Sequence, residues 1–72
     1  MVARTAFINK LHQLNYYYKG RQKRTELYRK KGGTHRMFIP LNSNLEDETV
    51  MHLLRQAGCT DEEIRKFVAA AR

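Results

Sequence analysis

Two adjacent glycines, Gly32-Gly33, followed by Pro40, interrupt any helix that would run through the middle of the chain. This punctuation constrains the fold more than any other feature of the sequence. Both glycines can take positive φ, so they suit a hairpin turn between one strand at 24–30 and a final strand at 34–39. Pro40 has no backbone donor and ends that last strand. Upstream, Tyr16-Tyr17-Tyr18 is β-prone, and Gly20 offers the turn into the second strand.

On both sides of this block the hydrophobic period is helical. Phe7, Leu11 and Leu14 recur at helical spacing within residues 5–14, and Thr5 is placed to cap their helix. Asn44, with Glu46, Asp47 and Glu48 close by, puts acceptors and negative charge at the start of a second helix. Val50, Leu53, Leu54 and Ala57 form its apolar stripe, and Gly58 stops it. Thr60-Asp61-Glu62-Glu63 reads as a capping box for a last helix carrying Ile64, Phe67, Val68 and Ala71 at i, i+3, i+4 and i+7. The predicted order is α-β-β-β-α-α. It implies an α+β fold with a three-stranded antiparallel sheet and helices packed on one face, because each stripe and one sheet face need cover. At 72 residues the chain is expected to form a single domain over 1–72.

Charge narrows the function classes. The formal net charge is +7, but residues 1–36 hold ten Lys/Arg and one acid, Glu26, a balance of +9, whereas residues 37–72 balance to −2. A basic half of this kind suits a polyanionic partner: nucleic acid, an anionic membrane surface or an acidic protein. The basic run has β-like rather than amphipathic helical patterning, which argues against a membrane partner. No leader or membrane-spanning pattern is seen, and the lone Cys59 suits a reducing compartment, so the expected location is the cytoplasm. His12, His35, His52 and Cys59 show no ligand spacing, and no cofactor motif is present, so neither a metal nor a cofactor is expected.

The predicted sheet segment carries the candidate site. Arg21, Lys23, Arg24, Arg29, Lys30, Lys31 and Arg36 would track phosphates, and Tyr16, Tyr17, Tyr18, Tyr28 and Phe38 interleave with them as potential stacking surfaces for unpaired bases. The bland alternative packs several of these aromatics under the helices and leaves the charges as a solvated face guarding strand edges. His35 follows the glycine turn among cationic neighbours; it is the candidate proton donor or acceptor for RNA cleavage, with Arg36 stabilising phosphorane charge. A polar strand-end residue is its simpler reading.

Two stretches resemble the HicA toxin family, small ribonuclease toxins of bacterial toxin–antitoxin pairs with a double-stranded-RNA-binding-like fold. Gly33-Thr34-His35-Arg36-Met37-Phe38 looks like the family's histidine motif. Ile39-Pro40, followed by the helix Thr49-Val50-Met51-His52-Leu53-Leu54-Arg55-Gln56-Ala57-Gly58, is similar to its strand-ending proline and "QAG" helix. The resemblance implies RNA as substrate and an antitoxin-like protein as partner. In the family the histidine opens the second strand and the proline closes the third. The histidine motif assigns the catalytic position to His35; the proline and helix assign it to Thr25, whose hydroxyl is no base at neutral pH. The length between residues 5 and 40 favours the second register. An RNA-binding module is therefore expected, and an interaction module whose basic sheet edge takes an acidic protein is the alternative.

Overall fold

The computed structural model describes residues 1–71. In order, the elements are β1 (Val2–Ala3), α1 (Arg4–Gln13), β2 (Tyr16–Gln22), β3 (Thr25–Lys30), β4 (Arg36–Pro40), β5 (Asn44–Leu45), α2 (Asp47–Gln56) and α3 (Asp61–Ala71). Strands β2-β3-β4 form an antiparallel meander, which with the three helices gives the expected α-β-β-β-α-α order. Unexpected from the sequence is a second, two-stranded sheet, in which Val2 pairs with Leu45 and Ala3 with Asn44.

That small sheet explains where both flanking helices begin. Asn44 is not the cap of α2, because it lies in β5; Glu46 takes the cap position without a side-chain hydrogen bond. Thr5 is not the cap of α1 either. The helix starts one residue earlier, behind Ala3, and the Arg4 N–H donates to the Ser43 carbonyl (2.9 Å), so the neighbouring chain satisfies an otherwise orphaned donor. The capping box of α3 forms as expected: the Glu63 carboxylate accepts from the Thr60 N–H (2.8 Å) and the Thr60 hydroxyl from the Glu63 N–H (3.2 Å). Gly58, at φ +94°, closes α2, with the Cys59 N–H bonded to the Leu54 carbonyl and the Gly58 N–H to that of Arg55.

The strand boundaries also differ from the expected ones. Gly20 makes no turn: β2 runs through it, and the register slips between Tyr18 and Gly20, the mark of a β-bulge. The turn falls at Lys23-Arg24, between the paired Gln22 and Thr25, with Lys23 at φ +51°. Arg24 is thus a turn residue rather than the first of a strand. The Gly32-Gly33 connection is longer than a two-residue hairpin, because β4 begins only at Arg36, and Gly32 takes φ +75°. Pro40 closes β4 as expected while still pairing with Thr25.

The core lies between the meander and the helices. Phe7 and Leu11 of α1, Val50, Leu53 and Leu54 of α2, and Ile64 and Val68 of α3 pack with Tyr16, Tyr28, Met37 and Ile39 of the sheet, and Val2 and Leu45 of the small sheet close one end. Strand β4 alternates: Met37 and Ile39 are buried, Arg36 and Phe38 exposed. One face of the meander is therefore core and the other is open.

Candidate nucleic-acid interface

Pairing register sorts the basic residues by row. Directly opposed residues share a face, so Tyr17, Arg29 and Arg36 form one row of the open face and Gly20, Leu27 and Phe38 the next. Tyr16 and Lys30 lie on the opposite side of the pleat, and so does Arg21, which pairs with Glu26. The seven cations singled out in the sequence thus occupy three places rather than one surface. Lys23 and Arg24 sit in the β2–β3 turn with Arg21 just before it; Arg29, Lys30 and Lys31 gather at the other end of β3; Arg36 stands beside Arg29. The two ends of β3 are about 17 Å apart at the rise of a strand.

The β3–β4 end is the more developed. Lys19, Arg29, Lys30 and Lys31 line a groove of about 550 Å³ together with Tyr17 and the Gly32-Gly33-Thr34 backbone. Arg29 Nε donates to the Gly33 carbonyl (3.3 Å), which ties the loop to the strand. Lys19 lies two residues from Tyr17 in β2, and strand alternation brings both to this groove. Among the described residues, none of these cations pairs with a carboxylate. Glu26, the single acid of the basic half, is held by Arg4, which also donates to the Pro40 carbonyl (3.1 Å).

The aromatics divide more sharply. Tyr16 and Tyr28 are core residues and offer no stacking surface, correcting their place among the interleaved aromatics. Tyr18 is exposed and meets Tyr28 edge-on. Tyr17 stacks on the His12 ring, with centroids 5.6 Å apart and planes at 20°, a contact between helix and strand edge that nothing in the sequence signalled. Phe38 is 47% exposed on the open face.

His35 is engaged elsewhere. Its Nδ1 lies 2.7 Å from the hydroxyl of Tyr16, and the two rings meet edge-on. Burial, with a smaller contribution from Cys59, pushes the Tyr16 phenol up from its ordinary value, so the hydroxyl keeps its proton. Against the Nε2–H tautomer of the imidazole that hydroxyl donates and Nδ1 accepts. The His35 carbonyl meanwhile accepts from the Lys30 N–H (3.1 Å). His35 therefore faces the buried side of the sheet, whereas Arg36 faces the open side, and the two are not brought together. Thr25 opens β3, and its hydroxyl donates to the Gln22 carbonyl (3.1 Å) across the hairpin turn. No group of three His, Cys, Asp or Glu that could hold a metal occurs among the described residues, and none of the described helices is long and apolar enough to cross a membrane.

Compared with known proteins, the chain matches no family model, no curated protein sequence and no solved structure.

Proposed function

We propose that the chain is an RNA-binding domain of the cytoplasm, contacting phosphates through Arg21, Lys23, Arg24, Arg29, Lys30, Lys31 and Arg36. The observation that carries this reading is the exposed groove at the β3–β4 end, where four cations gather around a glycine loop and, among the described residues, no carboxylate neutralises them. Each phosphate neutralised there releases counterions and adds salt-dependent affinity. The turn cations extend the same field along β3, so a bound strand running the length of β3 meets positive charge at both ends.

RNA rather than DNA is favoured by the resemblance to HicA toxins. In that family the histidine opens the second strand of the sheet and the proline closes the third; here Thr25 opens the middle strand and Pro40 closes the last. A threonine at the histidine's place supplies no general base, and His35 is bonded to a core tyrosine. The proposed activity is accordingly binding without cleavage. The β2 and β4 edges of the meander favour a second reading, in which an acidic protein adds a strand to the basic sheet.

Filter binding with duplex RNA, single-stranded RNA and DNA separates these. Binding of RNA tighter than about micromolar at physiological salt supports the RNA reading, and no binding at that level removes it. Equal RNA decay with wild type and His35→Ala is the expected result for a domain that does not cleave; faster decay with wild type would restore His35 to chemistry.

A further inference from the structure

We infer that the open face of the meander is a stacking platform for unpaired nucleobases, with Phe38 receiving a base and Arg29 and Arg36 holding the flanking phosphates. The inference rests on the RNA-binding reading and names its substrate class: single strands rather than duplexes.

Phe38 is the least explained large side chain of the sheet. Its neighbours in β4, Met37 and Ile39, are 2% and 0% exposed, while Phe38 is 47% exposed on the opposite side of the same strand. Its row contains only Leu27, half-buried, and Gly20, which has no side chain, so the row is flat and apolar. The adjacent row, two residues along β3 and β4 and about 7 Å away, presents Arg29 and Arg36 in direct register. Two like charges opposed on a sheet repel each other, a disadvantage that a bound anion relieves. A flat ring bordered by paired guanidinium groups is complementary to one nucleotide: a π face for the base and cations for its phosphates.

The same geometry discriminates against a duplex. In paired RNA both faces of each base are occupied by neighbours in the stack, so no base face is left to lie on the Phe38 ring. Nor does the site suit an added protein strand, which would pair along the edge of β2 or β4 and leave the face uncovered. Tyr17, in register with Arg29 and Arg36 and backed by His12, places a second exposed ring beside the cationic groove, so a strand leaving Phe38 meets the groove next.

Fluorescence anisotropy with a labelled 12-nucleotide single-stranded RNA and a 12-base-pair duplex tests the inference. Wild type is expected to prefer the single strand. Phe38→Ala and Phe38→Leu should weaken single-strand binding about 5- to 150-fold, the effect of about one stacked base, and leave duplex binding unchanged, while Phe38→Tyr restores it. Circular dichroism confirms that each variant is folded. Salt-sensitive RNA binding that Phe38→Ala leaves intact, or that it weakens equally for both RNAs, overturns the platform and keeps the phosphate groove. Absence of binding to either RNA by wild type overturns both.

Discussion

If the groove at the β3–β4 end grips phosphates, removing two of its cations must change the salt dependence of binding, not only its strength. Five cations stand at or beside this end: Lys19, Arg29, Lys30 and Lys31 in the groove and Arg36 in register with Arg29. With one phosphate each, log K for a single strand should fall against log salt with a slope of about −3.5, so raising salt fourfold costs roughly 130-fold in affinity. Lys30→Ala/Lys31→Ala leaves three contacts, a slope of about −2.1 and a loss of roughly 18-fold over the same range. The assay is anisotropy titration of a 12-nucleotide RNA at about 50 mM and about 200 mM salt and two concentrations between, the range over which such slopes are resolved. Arg65→Ala/Lys66→Ala is the control, since it removes the same net charge from α3, away from the sheet. A parallel displacement, with the slope of the groove variant equal to that of wild type, would show that Lys30 and Lys31 act only through net charge. An equal change in the α3 control would show the same.

Three further outcomes concern the fold. Tyr16→Phe removes the hydroxyl bonded to His35 and should destabilise by about 1 kcal/mol, read as a lower urea midpoint at unchanged slope; an unmoved midpoint would mean that the bond contributes nothing net. Glu63 is held below the ordinary carboxylate value, chiefly by the hydrogen bond from the Thr60 backbone. Its cap contribution is therefore complete above the unfolded value of about 4.3 and fades as pH falls through the lower folded value, so the Tm difference between wild type and Glu63→Gln should shrink on acidification and stay level near neutrality. A difference that grew as pH fell would contradict that sign. Lys23 sits at φ +51°, where a side chain is strained, so Lys23→Gly should stabilise by about 0.5–1 kcal/mol in urea melts despite the greater freedom of the unfolded chain.

Element order and helix faces were legible because they follow from local pattern. The stripes Val50-Leu53-Leu54 and Ile64-Phe67-Val68 need only a period, and the α3 cap needs only Thr60 and Glu63 three residues apart. What escaped depended on pairing between distant residues. Val2 and Leu45 are separated by α1 and the whole meander, and neither two-residue strand has a period of its own to detect. Gly20 reads as a turn by composition, but the tertiary pairing of Arg21 with Glu26 and Gln22 with Thr25 carries the strand past it and moves the turn to Lys23-Arg24. The candidate site suffered in the same way. Residue type identified the cations, yet only the register shows that Arg36 stands with Arg29 and that His35 turns inward to Tyr16.

That inward turn keeps the imidazole apart from the cations of the open face. A catalytic histidine would have to reach the phosphodiester that the cations are proposed to hold, so its ring and theirs would have to share a face. Along β4 the pleat puts Arg36 and Phe38 on the open side, and the residue before Arg36 is drawn to the core side by the Tyr16 hydroxyl. Turning His35 outward would break that bond and leave the buried phenol without its partner, at a cost of about 1–3 kcal/mol, so the inward state dominates by roughly 5- to 150-fold. Bound RNA could reverse this preference only by binding the outward state more tightly by at least that factor. Arg29, Arg36 and Phe38 are exposed and lie outside the core, so on the proposed reading their substitution should alter affinity with little change in stability, whereas substitution of buried Tyr16 or Met37 should do the opposite.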